Sequence, residues 1–395
     1  MRILFLSSRL PYPPIGGDRL KNYWLLKILS KHFRVHLVSL TDTDVPEGFY
    51  KFAEESGFSY KIFKKYKLLY YWNSVKGIFF KYPLQVNYYY FQDVQNYIKS
   101  VIDDFDFIIS TLIRTAHYVI DMKKPKILDM ADSIGQNYQN STQETKSLFW
   151  KIVYSIEKNR LLNYEKLCID KFDRTLLFNK YEVDFFSNLH KVFWVPHGVD
   201  DGLLCYEKTD PNYKNYIVFF GKMDYQPNID AVLWFIEKVL PRLDRSLTFC
   251  VIGANPPKFL INMERRYRNL KVLGFVEEPY VILKSSLCVV APMQTGGGIQ
   301  NKVLQSMALG TINIISSLAS KPIGGENWRH YIVSDEPESI AEMIHDILKN
   351  PDKYEKIKNE ARNFIKNNFT WSIYEREILR HIQEVLNAHK SKSSA

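Results

Sequence analysis

The sequence predicts an α/β protein built from two doubly wound domains that face each other across a cleft. Short apolar runs of strand length alternate with helical patterns, which is typical of parallel sheets covered on both faces. A polar, turn-rich stretch over residues 202–215 interrupts the alternation, which then restarts, and 395 residues are too many for one ordinary core. We predict an N-terminal domain over residues 1–200 and a C-terminal domain over 201–369. A last helix, about 370–395, is expected to pack back on the first domain.

The first domain opens with a βαβ unit. Arg2 to Leu6 is an apolar strand, a Pro- and Gly-rich loop follows, and a helix of about 20–30 leads into a strand of about 35–40. The loop lacks the full G-x-G-x-x-G pattern of dinucleotide sites. Gly16 and Gly17 could let the backbone approach a phosphate or a sugar, and a tight loop alone explains them equally well. Further strands begin near residues 106, 126 and 174, with a long helical region over about 142–171.

The second domain repeats this order. Its predicted strands are 216–221, 247–253, 270–275, 287–292, 312–316 and 331–335, and a helical tail follows over 337–389. Asn228 is a plausible N-cap of the helix that follows the first of these strands. In open parallel sheets ligands bind beyond the carboxyl ends of the strands, and the polar and glycine-rich loops of this chain lie at those ends.

One of these loops is a run of three glycines, Gly296, Gly297 and Gly298, that leads directly into a helical pattern. A glycine loop before a helix N-terminus offers unpaired N–H groups to a diphosphate. Lys302 lies in the first turn, where the helix dipole disfavours a cation unless an anion is bound there. A tight turn with a solvated lysine is the alternative.

The composition narrows the partners. A net charge of +10 suits an anionic partner, and the four cysteines form neither a CxxC pair nor a metal-binding pattern with histidine. Neither a signal peptide nor a membrane span is predicted. We expect buried thiols in a cytoplasmic protein that works at the inner face of the plasma membrane or in solution.

Residues 60–100 interleave lysine with tyrosine, phenylalanine and tryptophan. Such a segment suits a membrane interface, where aromatic rings lie among the headgroups and lysines reach the phosphates. An amphipathic pair of helices that covers the sheet is the alternative. Nucleic acid is not expected as a partner.

Several motifs together resemble the GT-B glycosyltransferases, in particular the large retaining family 4. They are PPIGGDRLKNYWLL, VPHGVD, FFGKMDYQPNIDAVLWF, FCVIGANPP, LKVLGFVEE and KVLQSMALG, spread over nearly the whole chain. VPHGVD resembles the family's VPNGVD, and LQSMALGTINI resembles LEAMALGKPVV. The resemblance implies two Rossmann-like domains, with a nucleotide diphosphate sugar as donor substrate and no other cofactor.

The family's donor-binding positions map onto the second domain. Gly221 and Lys222 match the strand end whose basic residue contacts the diphosphate, and Phe275 and Val276 match the turn that reads the base. Asn301 and Lys302 match diphosphate or ribose contacts. Two family carboxylates are absent, because Gly297 stands where the first acidic residue contacts the sugar and Gln305 where the second bonds the ribose. A carboxamide still accepts a hydrogen bond but brings no charge.

In the first domain the family often uses a histidine after a middle strand, where this chain has Ala131 and Asp132. Asp132 is therefore a candidate catalytic group. His117 is a second candidate, although a lone histidine is more often structural. Arg114 could hold a phosphate of the acceptor or donor, or form a surface salt bridge.

The predicted function is metal-independent transfer of a hexose to the hydroxyl of an acceptor glycan or lipid-linked sugar, with retention, in cell-surface polysaccharide or glycolipid assembly. The missing carboxylates favour an alternative, a catalytically degenerate GT-B protein that acts as a binding or scaffold partner.

Overall fold

The structure is a computed structural model, and it describes residues 1–77, 82–144, 148–296 and 298–393. The chain divides into two compact units. The first, the N-terminal unit, comprises Met1–Pro196 and the C-terminal segment from Tyr374, and the second, the C-terminal unit, is His197–Ile373. The boundary near residue 373 falls within the last helix.

A seven-stranded parallel sheet forms the core of the N-terminal unit, in the order β3-β2-β1-β4-β5-β6-β7. Its strands are β1 (Arg2–Ser7), β2 (Arg34–Thr41), β3 (Ser59–Lys64), β4 (Phe107–Thr111), β5 (Lys126–Ala131), β6 (Arg174–Leu177) and β7 (Val192–Trp194). Ile3 of β1 is in register with Val35 on one side and Phe107 on the other. The strands β1, β4 and β5 are buried on both faces, as their near-continuous apolar sequences predict.

Helices of this unit connect the strands. They are α1 (Gly17–His32), α2 (Glu47–Ser56), α3 (Lys67–Gly77), α4 (Leu84–Tyr88), α5 (Gln92–Val101), α6 (Leu112–Ala116), α7 (Ile134–Glu144), α8 (Leu148–Lys171) and α9 (Lys180–Phe185).

The basic and aromatic stretch of residues 60–100 is not simply a pair of helices. It begins with the edge strand β3, which pairs with β2, and only then continues into α3, α4 and α5. The strand has no buried residue, and a lysine interrupts each of its two faces, so no apolar face reveals it in the sequence. Residues 78–81 of this stretch lie outside the described residues.

The C-terminal unit holds a six-stranded parallel sheet in the order β10-β9-β8-β11-β12-β13. The strands are β8 (Tyr216–Phe220), β9 (Thr248–Ile252), β10 (Leu270–Gly274), β11 (Cys288–Ala291), β12 (Asn313–Ile315) and β13 (Ile332–Val333). The helices are α10 (Gln226–Trp234), α11 (Lys258–Asn262), α12 (Tyr280–Ser285), α13 (Asn301–Ala308), α14 (Ser317–Ser320), α15 (Pro337–Lys349) and α16 (Glu355–Asn368). The last helix, α17 (Trp371–Ser393), begins in this unit, and from Tyr374 onward it belongs to the N-terminal unit.

Two local predictions are wrong. Asn228 is not the N-cap of α10, because the helix already begins at Gln226, with Pro227 in its first turn where a fixed φ favours helix initiation. Cys205 is exposed, whereas Cys168, Cys250 and Cys288 are buried free thiols. Cys205 lies in a short 3₁₀ turn, Asp201–Cys205, that has little apolar surface to cover it.

The carboxyl ends of β8, β9 and β10 are joined through glycines. Gly221 N–H donates to Ile252 O at 2.9 Å, and Gly253 N–H donates to Gly274 O at 2.8 Å. The two backbones approach so closely that a Cβ on Gly253 would lie 1.8 Å from Gly221 O. Any side chain at Gly253 would therefore push the loop after β8 out of place.

We expect Gly253→Ala to destabilise the C-terminal unit by about 3 kcal/mol or more, because the clash is with backbone and cannot be relieved by a rotamer change. Differential scanning calorimetry would measure the effect. Gly17→Ala is the control, since a Cβ there has nothing within 4 Å. Equal melting temperatures for the wild type and Gly253→Ala would contradict the close approach.

Candidate functional site

The sheet of the C-terminal unit reverses its strand order between β8 and β11, which are neighbours in the sheet but not in the chain. Such a switch point leaves a crevice at the carboxyl ends of the two strands, because the connections leave in opposite directions. The loop after β8 carries Gly221 and Lys222, and the loop after β11 is the glycine loop that precedes α13. The topology therefore places these two predicted segments at one edge of the sheet.

The glycine loop turns at Gly296, whose φ of 92° lies in the left-handed region that favours glycine. A Cβ at this position would be 3.5 Å from Pro227. Gly298 follows, and its carbonyl accepts a hydrogen bond from the side chain of Gln300. Gly297 lies outside the described residues. No side chain caps the N-terminus of α13, which leaves its first N–H groups available to a ligand.

Lys302 is buried at the start of α13, with 8% of its surface exposed, so it is not the solvated lysine of the alternative interpretation. Its Nζ donates to Asn228 Oδ1 at 3.0 Å and to Gln300 Oε1 at 2.8 Å, and it lies 5.2 Å from the centroid of the Phe219 ring. Both acceptors are neutral. Burial lowers the pKa of Lys302 to about 7, and no carboxylate among the described residues offsets it.

The side chain of Asn228 does not cap α10 but joins two loops of the site. Its Nδ2 donates to Lys222 O at 2.8 Å while its Oδ1 accepts from Lys302. The amide thus ties the loop after β8 to the first turn of α13. Gly221 is needed beside it, because a Cβ there would lie 2.9 Å from Asn228 Nδ2 and 3.0 Å from Lys302 Cε.

Lys222 is half-exposed and already has an anionic partner. Its Nζ lies 3.1 Å from Asp224 Oδ2, which also accepts from Asn255 Nδ2 at 3.0 Å. The charge of Lys222 is therefore partly neutralised in the unliganded protein. An incoming anion would compete with Asp224 for it, whereas Lys302 has no such competitor among the described residues.

Two amide side chains lie four residues apart on α13, so they lie on the same side of the helix. Asn301 Oδ1 is buried without a hydrogen-bond partner among the described residues. The Nε2 of Gln305 is 3.5 Å from the Tyr280 hydroxyl, and its half-buried carboxamide oxygen forms no hydrogen bond within the described chain. Buried polar atoms are rarely left unpaired in a protein interior. Both oxygens can accept from ligand hydroxyl groups.

Phe275 and Val276 follow β10, at the same edge of the sheet. Phe275 is 68% exposed, which is unusual for a phenylalanine in a tight turn, while Val276 is half-buried. An exposed ring beside free backbone groups can stack on a planar base.

In the N-terminal unit Asp132 lies in the turn after β5, next to Ala131, whose φ is 65°. Its Oδ1 is buried without a hydrogen-bond partner among the described residues. Burial raises the pKa of this carboxyl, the cation of Lys21 opposes the rise, and the charge of Asp129 adds to it. Asp132 thus presents an unpaired carboxyl oxygen at the carboxyl end of a central strand.

The sequence did not single out the ion pair that supports this turn. Lys21 and Asp129 are both buried and form a salt bridge, and the Tyr374 hydroxyl of α17 donates to Asp129 Oδ2 at 2.9 Å. In the sequence, this pair was indicated only by two adjacent polar residues, Lys21 and Asn22, within the apolar pattern of α1. Asn22 extends the network, since its Nδ2 donates to Ser7 Oγ at 3.0 Å and Thr111 Oγ1 at 3.1 Å.

Two further buried glutamates hold the same turn and were also missed. Glu182 Oε2 accepts from Ser133 N–H at 3.0 Å, and Glu165 accepts from Ser133 Oγ at 2.7 Å and Gly135 N–H at 3.0 Å. Burial raises the pKa of Glu165 to about 7, and burial together with the charge of Asp132 raises that of Glu182 to about 9. Their positions on α8 and α9 are distant in sequence, so no local pattern reveals them.

His117 and Arg114 lie in different surroundings from Asp132. The His117 ring packs against Tyr82 and Tyr90, with centroids 4.3 and 4.8 Å away, and burial lowers its pKa. Arg114 Nε donates to Gln85 Oε1 at 2.9 Å. Neither side chain has a described contact with Asp132, so the structure does not bring the three predicted catalytic residues together. Aromatic packing is what holds His117.

Gly16 and Gly17 are exposed at the start of α1. Gly16 has a φ of 98° and no side chain caps the helix. The two glycines thus form an open turn beyond the carboxyl end of β1.

No group of three or more His, Cys, Asp or Glu side chains that could hold a metal ion occurs in the described part of the chain. Among its helices, none is both long enough and apolar enough to cross a membrane.

Comparison with known proteins found similarities in both sequence and fold. Residues 214–350, within the C-terminal unit, match the family described as "Glycosyl transferases group 1". Over 399 aligned residues the chain is 22% identical to a Klebsiella pneumoniae protein described as an "uncharacterized 44.6 kDa protein in cps region". The match covers 93% of this chain and 96% of the relative.

Solved GT-B glycosyltransferase structures share the fold over almost the whole chain. HepE from Anabaena, in complex with UDP and glucose, gives a TM-score of 0.70 at 13% identity, covering 97% of this chain and 99% of that one. Sucrose-phosphate synthase from Thermosynechococcus elongatus gives 0.70 at 11% identity, covering 98% and 99%. WaaG, described as a glycosyltransferase involved in lipopolysaccharide biosynthesis, gives 0.65 at 13% identity, covering 95% and 98%. The prediction of two parallel-sheet α/β domains of this fold is confirmed.

The burial of Lys302 predicts an unusual pH dependence of stability. Its folded-state pKa of about 7 lies below the ordinary 10.5, so between these values the unfolded chain holds a proton that the folded protein has released. The free energy of unfolding should therefore gain up to about 1.4 kcal/mol per pH unit from this group as the pH rises through that window. Lys302→Met should be more stable than the wild type near pH 7 and lose that advantage towards pH 10.

Urea unfolding at a series of pH values would test this. Only the difference between wild type and variant isolates Lys302, because the raised carboxyls Glu165 and Glu182 act in the opposite direction, losing stability as the pH rises. Lys222→Met is the control, since that lysine is half-exposed and paired with Asp224. Parallel pH profiles for wild type and Lys302→Met would show that Lys302 is not a strained cation.

Proposed function

We propose that this protein is a glycosyltransferase of retaining family 4 type that transfers a hexose from a nucleotide diphosphate sugar to an acceptor hydroxyl. The observation that carries the proposal is Lys302, a buried cation at a helix N-terminus that has only neutral partners among the described residues. A buried charge without a counterion is costly, and a bound diphosphate would supply the missing negative charge. The glycosyl transferases group 1 match over this region and the UDP-bound HepE structure support the same ligand.

The proposed donor contacts use the polar groups described above. The diphosphate binds Lys302 and the free N–H groups around Gly296 and Gly298. Lys222 can exchange its ion pair with Asp224 for one with the diphosphate. The ribose hydroxyls donate to Asn301 Oδ1 and Gln305, each of which has an oxygen free of described partners. The base stacks on Phe275, with the backbone of Val276 reading its edge.

We propose that the protein binds its donor without the missing family carboxylates. A carboxamide oxygen at Gln305 accepts a ribose hydrogen bond as a carboxylate would, although more weakly, because neutral hydrogen bonds have about half the strength of charge-assisted ones. Asn301 Oδ1, one helical turn before Gln305, adds a second buried acceptor for a ribose hydroxyl. Hydroxyl recognition is thereby shifted along α13 rather than lost.

The departing diphosphate is neutralised by protein cations. Lys302 and the helix N-terminus lie where its charge accumulates, so their stabilisation grows as the sugar bond breaks. We propose a metal-independent reaction on this basis, with retention of anomeric configuration. Asp132 is our proposal for the polar group of the N-terminal unit that contacts the transferred sugar, because it has an unpaired buried oxygen on a braced turn.

The acceptor is proposed to be a glycan or lipid-linked sugar of cell-surface polysaccharide or glycolipid assembly, handled in the cytoplasm at the inner face of the membrane. Three observations support this. The relative from Klebsiella pneumoniae is described as lying in the cps region, and WaaG is described as acting in lipopolysaccharide biosynthesis. Helix α3, within the basic aromatic stretch, exposes large apolar side chains.

We expect Lys302→Met to weaken UDP binding about ten- to a hundredfold, because a charge-assisted contact contributes about 1.5–3 kcal/mol. In the wild type, UDP affinity should also fall as the pH rises above about 7, where free Lys302 loses its proton. Isothermal titration calorimetry with UDP measures both effects. Lys349→Met, which removes an exposed lysine at the end of α15, is the control. Unchanged UDP affinity in Lys302→Met would refute this donor site.

Asp132→Asn should lower the rate of UDP release from UDP-glucose about a hundredfold or more while leaving the dissociation constant of UDP unchanged. The substitution keeps the shape of the side chain and removes a buried charge, so the fold is preserved. His117→Gln is the comparison, and we expect it to retain most of the activity, because its ring is held by Tyr82 and Tyr90. A larger loss of this rate in His117→Gln than in Asp132→Asn would contradict the role of Asp132 and assign it to His117.

A binding or scaffold role remains the alternative, since both family carboxylates are absent. UDP binding without turnover of any nucleotide sugar would favour it.

A further inference from the structure

The N-terminal unit contains a pocket of about 270 Å³ that the proposed donor chemistry does not use. It lies at the carboxyl ends of β1 and β2, where Ser8 and Arg9 follow the first strand and Thr41 and Asp42 end the second. This is the edge of a parallel sheet at which ligands bind. Other parts of its wall come from the first turn of α1 and from α3 and α4.

The pocket is electropositive. Three cations line it, Arg9, Arg19 and Lys67, against one carboxylate, Asp42. Arg9 is partly neutralised, because its Nη1 lies 3.3 Å from Asp18 Oδ2. Arg19 and Lys67 form no ion pair with any residue that the structure describes. Two unpaired cations around a small pocket favour an anion.

Hydroxyl groups complete the lining. Tyr70 is 3% exposed, yet its hydroxyl has no hydrogen-bond partner among the described residues. Burial raises the pKa of Tyr70, followed by the charges of Asp42 and the neighbouring tyrosines Tyr89 and Tyr88. These neighbours all line the pocket, so the hydroxyl faces it and stays protonated as a donor. The Tyr89 hydroxyl accepts from Arg9 Nε at 2.9 Å and fixes that guanidinium in the wall.

Helix α3 extends from this pocket with an uncovered apolar face. Lys67, its first residue, lines the pocket, and Leu68, Trp72 and Val75 follow on one side of the helix at i, i+4 and i+7 spacing. Leu68 is 79% exposed and Trp72 58% exposed, and Lys76 Nζ lies 5.5 Å from the Trp72 ring centroid. An exposed tryptophan and leucine beside lysines is the arrangement of an interfacial helix on an anionic bilayer.

We propose that this pocket binds the phosphate group of an anionic membrane lipid while the apolar face of α3 lies in the bilayer interface. Resting on the proposed function, the inference is that the acceptor is presented on a lipid phosphate, which the N-terminal unit holds through Arg19, Lys67 and the Tyr70 hydroxyl. The pocket alone would suit any phosphate, and the uncovered face of α3 beside it selects the lipid.

Vesicle co-sedimentation of the full chain tests this. Three vesicle types are compared: phosphatidylcholine alone, and phosphatidylcholine with about 20 mol % of either phosphatidylserine or phosphatidic acid. We expect binding to phosphatidic acid, which exposes a phosphate monoester, to exceed binding to phosphatidylserine. Arg19→Ala/Lys67→Ala should reduce the phosphatidic acid affinity at least about tenfold, and Leu68→Ser/Trp72→Ser should reduce binding to both anionic vesicles.

Lys51→Ala/Lys99→Ala is the matched control, because it removes two exposed cations outside the pocket. An equal loss in this control, or no preference for phosphatidic acid, would overturn the proposal in favour of nonspecific charge attraction. Pocket-dependent binding of inorganic phosphate in calorimetry with no vesicle binding would overturn it in favour of a soluble phosphorylated ligand.

UDP titration of the same proteins separates this inference from the proposed function. The pocket and α3 variants should bind UDP like the wild type, because their substitutions lie in the N-terminal unit. Loss of vesicle binding with intact UDP binding therefore tests the pocket alone. A wild type that binds vesicles but no UDP would refute the donor site and leave the lipid site standing.

Discussion

Parallel strands end at a common edge, and this constraint organises both units. Each sheet reverses its order once, between β1 and β4 in one and between β8 and β11 in the other. The reversal opens a crevice at the carboxyl ends because successive connections leave on opposite sides. The polar residues that carry the argument, from Asp132 to Lys302, follow strands at those ends. Chemistry is therefore confined to a few loops, while the strand interiors remain almost wholly apolar.

In the C-terminal unit this edge of the sheet contains buried polar groups that lack partners when no ligand is bound. Lys302 is desolvated without a counterion among the described residues, and Asn301 Oδ1 is buried without a partner. Close backbone packing at Gly221 and Gly253 keeps the loop from relaxing around them. A rigid frame that holds unpaired polar groups is the usual form of a preorganised site, in which folding energy is given up so that less is lost on binding.

In the N-terminal unit, by contrast, most buried polar groups around Asp132 have partners. Lys21, Asp129 and the Tyr374 hydroxyl form a closed buried network, and Glu165 and Glu182 satisfy the backbone of the following turn. Buried polar networks fix one conformation when every member is paired. Asp132 Oδ1 is left unpaired beside this network, so its position is set by neighbours that need not touch a ligand.

Much of the fold was predictable from sequence because buried parallel strands read as continuous apolar runs. Strands such as β8 and β11 and the glycine loop before α13 were located within a residue or two. β3 was missed because each face of this exposed edge strand mixes lysine with apolar or aromatic residues, so neither face is apolar. The Lys21–Asp129 pair and the two glutamates were missed for a different reason, because their burial depends on partners that are distant in sequence. Lys21 and Asp129 are 108 positions apart, and Glu165 and Glu182 lie 32 and 49 positions from Ser133.

The excess positive charge of the chain acquires a physical meaning from these sites. A net charge of +10 spread evenly would raise solubility and little else. Here part of it lies where cations outnumber nearby anions: at Lys302 in one unit, and in the other at the pocket of Arg9, Arg19 and Lys67, which has a single carboxylate, Asp42, in its wall. Other lysines and arginines on the surface do form ion pairs, as in Lys64–Asp44 and Arg242–Glu338. At these two sites the cations lack enough counterions from the protein itself. A phosphate-bearing ligand would supply the missing negative charge at each site.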